Sequence, residues 1–244
     1  MVWIAVAGVV AVIGVIVWSF RRDKRGADEP GGRSGWDWES RLGEDARVAF
    51  MEGVRACQDQ AGPLAVNEER GLLRIVDPPR LISLYLLADR FTARGQDGLH
   101  DPQGVVRELV TQCVATEQPG VLHLRADWLS GEVDGMDGAG LMAAVGEIVC
   151  PEGASWSGDE SAGCLEVALP GAAGEHADTA LLDLGRVVER YEKTRAERPT
   201  MPAGALLRDV VFELISEAGP GLAWTRPPTE RHRTALLATS RPTT

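Results

Sequence analysis

The longest apolar run of the chain lies at its start, where residues 2–20 carry no charged side chain. At about 1.5 Å of rise per residue, a helix of this length spans roughly 28 Å, close to the roughly 30 Å hydrocarbon core of a bilayer. The run is apolar on every side, whereas a helix on the surface of a soluble core has a polar face. The pattern therefore predicts a transmembrane helix over residues 2–20.

The residues that flank this run indicate its orientation. Trp3 and Trp18 stand near its two ends, where indole rings favour the membrane–water interface. No charged side chain precedes the run, and four cations follow it: Arg21, Arg22, Lys24 and Arg25. The positive-inside rule then places the N-terminus outside and the C-terminal domain in the cytoplasm, with the cations against anionic lipid. A cleaved signal peptide is disfavoured because no Ala-x-Ala site ends the run.

Beyond a tether rich in Gly and Pro, the chain changes between helical and strand-like periodicity. Apolar positions three and four residues apart predict amphipathic helices at residues 39–60, 101–116, 140–147, 175–198 and 203–218. Residues 80–93 are apolar over most positions and predict a helix buried on most of its surface. Short apolar or alternating runs predict strands at residues 64–66, 72–76, 121–128, 148–150, 164–169 and 222–225, the first two as a hairpin. No internal repeat is evident.

This order of elements predicts the fold class and the domains. Hairpins and helices mix without strict alternation, which favours an α+β fold over a doubly wound α/β sheet. We expect a single N-terminal transmembrane helix, followed by one globular domain of short strands packed with several amphipathic helices. The expected segments are a transmembrane anchor (1–20), a basic juxtamembrane cluster with a flexible tether (21–36), a globular α+β domain (37–225) and a disordered basic tail (226–244).

Charge is distributed unevenly along the chain. The whole chain carries −11, while residues 21–25 and 226–244 carry +3 each, which leaves about −17 for the segment between them. A domain with this much negative charge argues against a nucleic-acid partner, because phosphate binding needs a basic surface. Only two of the 25 basic residues are lysines, which we interpret as the codon bias of a GC-rich bacterial genome.

Motifs that carry chemistry are scarce. The chain contains no phosphate-binding loop, dinucleotide-binding turn, zinc-protease motif or serine-hydrolase motif, so we expect neither catalysis nor a cofactor. One acidic group has the oxygen ligands that Mg²⁺ or Ca²⁺ prefers, although a solvated turn has the same composition: Asp127, Glu132, Asp134 and Asp137. Trp156, in the middle of the polar segment 152–163, is a candidate contact residue.

Four cysteines bear on the compartment of the domain. None of them forms a Cys-x-x-Cys pair: Cys57, Cys113, Cys150 and Cys164. Cys150 and Cys164 are expected at the ends of paired strands, close enough for a disulfide outside the cytoplasm and reduced inside it.

These observations favour a membrane-tethered cytoplasmic module for protein interaction or regulation at the inner leaflet. The expected partners are the lipid bilayer, through residues 2–20, and a protein partner or a second copy of the chain. Two alternatives remain open: an extracytoplasmic envelope domain with a Cys150–Cys164 disulfide, and a metal-dependent enzyme that uses the acidic group.

Overall fold

Two antiparallel sheets lie at the centre of this α+β protein in a computed structural model, which describes residues 42–60, 64–68, 70–169, 178–224 and 230–242. Each sheet has four strands, and the strands follow one another in chain order. The first sheet consists of β1 (Leu64–Asn67), β2 (Leu72–Ile75), β3 (Arg80–Ser83) and β4 (Val121–His123). The second consists of β5 (Ser155–Asp159), β6 (Cys164–Leu169), β7 (Asp178–Asp183) and β8 (Leu222–Trp224).

Eight helices accompany these sheets in the described ranges. They are α1 (Glu44–Gln60), α2 (Leu84–Ala93), α3 (Gln96–His100), α4 (Pro102–Ala115), α5 (Gly138–Val149), α6 (Leu184–Glu197), α7 (Ala203–Glu217) and α8 (Glu230–Ser240). All of them belong to the compact unit Gly35–Thr244.

The order of elements occurs twice. A first repeat runs through α1, β1, β2, β3, α2, α4 and β4, and a second runs through α5, β5, β6, β7, α6, α7 and β8, with the short α3 added to the first. The backbone hydrogen bonds repeat as well. The N–H of Leu84 donates to the carbonyl of Gly71 at 2.8 Å, and the N–H of Leu184 donates to that of Gly163 at 2.8 Å. The expectation of a chain without internal repeat is therefore wrong at the level of structure.

The two sheets pack face to face, and helices cover their outer faces. In β2, Leu73 packs against helices while its neighbour Leu72 packs between the sheets. In β6, Leu165 packs against helices while its neighbour Cys164 packs between the sheets. This follows from the strand period of two, which sends successive side chains to opposite faces. The layer between the sheets consists of Leu72, Leu122, Leu124, Ala162, Cys164, Leu181 and Ala223. The result is a four-layer arrangement of helices, sheet, sheet and helices.

The repeats also meet along the edges of their sheets. Strand β4 of the first repeat contacts β7 and β8 of the second, and β8 in turn contacts β3. The N–H of Gly120 donates to the carbonyl of Leu222 at 3.1 Å, and the N–H of Arg125 donates to that of Ala162 at 3.2 Å. The first of these bonds satisfies a carbonyl of the edge strand β8 that would otherwise be left to water.

Several predicted elements are confirmed, and their local causes are visible. The predicted hairpin forms between β1 and β2, where Asn67 pairs with Leu72. Helix α4 begins at Pro102, and the Asp101 carboxylate caps it by accepting the N–H of Gly104 at 2.9 Å. Helix α7 ends at Glu217, within one residue of the predicted boundary.

Other predicted elements are wrong because both faces of the segment are buried. Residues 80–93 were expected as one helix, but they form strand β3 and then α2. Residues 175–198 were expected as one helix too, but the described part forms strand β7 and then α6. A strand between two apolar layers lacks polar alternation, so its residues are easily assigned to a helix.

Three shorter segments also differ from expectation. Residues 148–150 do not form a strand, because α5 continues to Val149. Residues 155–159, expected as part of a polar loop, form the edge strand β5. Residues 230–240, expected within a disordered tail, form α8, whose Leu236 is fully buried against the second sheet's helices.

The predicted membrane anchor, residues 2–20, lies outside the described residues. Among the helices that are described, each is too short or too polar to cross a bilayer.

Candidate functional site

A cavity of about 500 Å³ lies where the start of α2 meets the end of α7 and the edge strand β8. We call it the junction cleft. Its walls come from both repeats and from α8, and they include Ser83, Leu86, Asp89, Ile215, Ala218, Leu222, Trp224, Arg233 and Leu237. Apolar side chains form most of the wall, while Asp89 and Arg233 are exposed. The volume falls within the range of about 300–1,000 Å³ typical of small-molecule sites.

The equivalent place in the second repeat lies where the start of α6 meets the end of α4. Because an ion pair bridges these two helices, we call it the closed junction. There Arg186 forms ion pairs with Glu117, beyond the end of α4, and with Glu189 at 2.7 Å on its own helix. The repeat relates Arg186 to Leu86 and Glu117 to Ala218, so the junction cleft has neither charge of the closing Arg186–Glu117 pair. The open and the closed junction therefore differ at these two side-chain positions.

The backbone takes a similar course at the two places. A Cβ atom added to Gly120 would lie 3.0 Å from Cδ2 of Leu86, and one added to Gly221 would lie 3.1 Å from Cβ of Arg186. Both glycines have positive φ, at +81° and +97°, a region that glycine adopts without steric cost. Leu86 and Arg186 therefore occupy equivalent positions, each against one of these glycines, and their side chains differ in chemistry.

The N-cap residues of the two equivalent helices also differ: Ser83 precedes α2 and Asp183 precedes α6. Asp183 is 2% exposed, and its carboxylate accepts the N–H of Arg186 at 3.2 Å and the N–H of His123 at 3.1 Å. The equivalent residue, Ser83, is also 2% exposed, and it makes no side-chain cap on α2. Its Oγ has no hydrogen-bond partner among the described residues, and Ser83 is part of the cleft wall. The cleft thus has an unsatisfied polar group where the other repeat has a satisfied carboxylate.

Electrostatics distinguishes the closed junction further. Burial raises the pKa of the Asp183 carboxyl, and hydrogen bonds from the N–H groups of Arg186 and His123 oppose that rise. Burial also lowers the pKa of the His123 imidazole, and the positive charges of Arg80 and Arg125 lower it further. Both effects favour the neutral imidazole, and His123 contacts Asp183 through its backbone N–H.

The predicted acidic group does not assemble as a set of metal ligands. Asp134 accepts hydrogen bonds from Tyr191 and Arg195, which lower the pKa of its carboxyl. Asp137 caps α5 by accepting the N–H of Gly140 at 2.8 Å. Asp127 and Glu132 are exposed. In the described ranges, no three His, Cys, Asp or Glu side chains converge closely enough to hold a metal ion.

Trp156 lies on the outermost strand of the second sheet and is 37% exposed. Its ring packs against α5 at Gly146, where an added Cβ would lie 2.4 Å from the indole carbons. One face of the ring is therefore buried by the protein's own helix, and the role of Trp156 in contacting a partner stays a prediction.

The cysteines do not have the arrangement that the sequence suggests. Cys150 stands at the C-terminal end of α5, while Cys164 pairs with Asp159 and Asp183 in the second sheet. The premise of two paired strands is wrong, and all four cysteines are free thiols. Burial raises the pKa of the Cys164 thiol to about 12, so this thiol is not a nucleophile near neutral pH.

The predicted membrane-interface residues lie outside the described residues: Trp3, Trp18, Arg21, Arg22, Lys24 and Arg25. Searches against protein-family models, curated proteins and solved structures find no match for this chain.

Sequence reasoning missed the junction cleft. One signal was present: a Pro-Gly pair follows a helix and precedes a short strand at Pro119–Gly120 and again at Pro220–Gly221. An alignment of the two halves on this pair would have set Glu117 against Ala218. It would not have shown that the cleft is open, because that depends on the packing of α8.

Proposed function

We propose that this protein is a membrane-tethered regulatory module whose cytoplasmic domain binds a ligand in the junction cleft. The observation that carries the proposal is the contrast between two equivalent junctions in one chain. One is closed by the Arg186–Glu117 ion pair, and the other has an apolar cavity with an unsatisfied buried hydroxyl.

Binding in this cleft would connect parts of the domain that are distant in sequence. The wall joins α2 of the first repeat to α7 and β8 of the second, and it adds α8 near the end of the chain. A ligand that contacts all four elements stabilises the state in which they are packed together, by an amount that grows with ligand concentration. This is the property that a regulatory module needs.

The membrane tether is the second part of the proposal. It is supported by the uncharged run 2–20 and by the four cations that follow it. A tethered domain samples only a thin layer near the bilayer, which raises its effective concentration towards partners there. The protein partner or self-association expected from the sequence stays a prediction.

Closing the cleft should abolish binding. The double change Leu86→Arg and Ala218→Glu transfers the ion pair of the closed junction into the open one. We expect the neutral probe 3-phenylpropionamide to shift the methyl resonances of Leu86, Ile215, Leu222 and Leu237 in the unchanged full chain in lipid nanodiscs. In the double variant, the remaining three residues should show no shift.

The matched control introduces the same side chains elsewhere. Leu99 is 40% exposed and Ala139 is exposed, so Leu99→Arg with Ala139→Glu adds both charges away from the cleft. This control should bind the probe as the unchanged chain does. Absence of cleft shifts in the unchanged chain, with this amide and with 3-phenylpropionate alike, would contradict the proposed site.

The orientation of the anchor has its own expected outcome. Alkaline phosphatase, which is active only outside the cytoplasm, should be inactive when fused after Thr244. A reporter that fluoresces only in the cytoplasm should be active at the same position. Moving the cations of residues 21–25 ahead of the apolar run should exchange the two results, because flanking cations set the orientation. Phosphatase activity of the unaltered fusion would show that the domain is extracytoplasmic.

A further inference from the structure

The closed junction shows what kind of chemical group the open junction lacks. The two helices begin with similar backbone conformations, since Ser83 has φ −67° and ψ 125° and Asp183 has φ −84° and ψ 107°. In the second repeat the Asp183 carboxylate occupies the space at the start of its helix. In the first repeat that space belongs to the junction cleft.

Backbone N–H donors define the position of the Asp183 carboxylate, and two of them have equivalents in the cleft. The carboxylate accepts the N–H of Arg186, whose equivalent is the N–H of Leu86 in the first turn of α2. It also accepts the N–H of His123, whose equivalent is the N–H of Trp224 on β8. Leu86 and Trp224 both belong to the cleft wall.

The start of α2 favours an anion for physical reasons. The first N–H groups of a helix have no partner within the helix, and the helix dipole places partial positive charge there. Ser83 does not cap them, and its own buried Oγ has no partner among the described residues. A hydroxyl so deeply buried is costly unless something binds to it.

Other parts of the wall indicate the shape of the ligand. Arg233 contributes a cation, while Ile215, Leu222 and Leu237 contribute apolar surface. Asp89 is an exposed carboxylate on the same wall, which disfavours a second negative charge on the ligand. The wall therefore suits one anionic group attached to an apolar body.

Resting on the proposed function, we infer that the ligand is a small amphipathic monocarboxylate, bound with its carboxylate at the start of α2 in the place that the Asp183 carboxylate takes in the second repeat. Ser83 Oγ–H and the N–H groups of Leu86 and Trp224 donate to that carboxylate. The apolar body lies against the leucine and isoleucine side chains, and Arg233 supplies the counter-charge.

The test compares an acid with its neutral analogue on the full chain in lipid nanodiscs by calorimetric titration. We expect 3-phenylpropionate to bind about tenfold more tightly than 3-phenylpropionamide, since charge-assisted hydrogen bonds distinguish the two. Ser83→Ala should reduce this preference several-fold, and Arg233→Gln should reduce it as well. The same change at Arg231, which is exposed on α8 and not part of the cleft wall, should leave it unaltered.

A substitution copied from the second repeat provides the sharpest variant. Ser83→Asp places the chain's own carboxylate at the start of α2, where it should cap the helix and exclude the acid. We expect binding of 3-phenylpropionate to be lost and the melting temperature to rise.

Each outcome decides the inference. Equal affinity for acid and amide, with both lost in the Leu86→Arg and Ala218→Glu variant, would overturn the monocarboxylate while leaving the cleft as a binding site. Failure of both compounds to bind the unchanged chain would overturn the inference together with the proposed site. Undiminished acid binding by Ser83→Asp would overturn the assigned position of the carboxylate.

Discussion

Replacing Ala223 by aspartate is expected to destabilise the domain by roughly 4 kcal/mol, because an unpaired carboxylate would be buried between two apolar sheets. Ala223 is 2% exposed, and it lies in the layer that holds Leu122 and Leu181. Since small domains are stable by only about 5–15 kcal/mol, this loss is a large part of the total. Thermal unfolding of the full chain in mild detergent, followed by near-ultraviolet circular dichroism, would measure it.

The pH dependence of this variant identifies the cause. Burial raises the pKa of the introduced carboxyl above its unfolded value of about 4, so the penalty is present at neutral pH and shrinks as the pH falls towards that value. The control Ala139→Asp places the same residue on the exposed first turn of α5, where it should be neutral or slightly stabilising. Equal stabilities of the two variants would contradict the packing of the two sheets.

Adding one methyl group at Gly53 is expected to destabilise the domain by about 2 kcal/mol. Gly53 lies where α1 crosses α4, and a Cβ there would stand 2.4 Å from the carbonyl oxygen of Pro102 and 2.7 Å from Cγ2 of Val106. The backbone oxygen cannot turn away as a flexible side chain would, so the helices must separate. The gain from replacing glycine inside a helix, about 1 kcal/mol, is smaller than this strain.

The control for Gly53→Ala is the same change at Gly204, in the first turn of α7. A Cβ there meets nothing within 4 Å, so only the helical preference of alanine remains and stability should rise by about 0.5–1 kcal/mol. The two variants should therefore shift the melting temperature in opposite directions. Shifts of the same sign would show that α1 and α4 are not in close contact at Gly53.

Local sequence patterns correctly predicted elements that have one apolar face and one polar face. Helix α4 has a capping aspartate, a proline at its first position and one apolar face, so its start was read correctly. The hairpin of β1 and β2 and the helix α7 were found for similar reasons. Each of these signals acts over a few residues, and the surrounding fold does not change it.

Tertiary context decided the segments that lie between two layers or at an edge. Strands β3 and β7 have apolar residues on both faces, because one face meets helices and the other meets the second sheet. Their alternation is lost, and the sequence alone favours a helix. Strand β5 is exposed along its whole length and is a strand because it pairs with β6, which no pattern within Ser155–Asp159 indicates.

The sequence by itself determined the fold class, the position of the uncharged N-terminal run and the acidic character of the domain. Only the tertiary structure showed that the domain is a repeat with one closed junction and one open cleft. The equivalent residues at those junctions differ in chemistry, as Arg186 differs from Leu86 and Asp183 from Ser83. Whether such a pair of positions makes an ion pair or a cavity depends on distances between elements far apart in the chain, which packing alone sets.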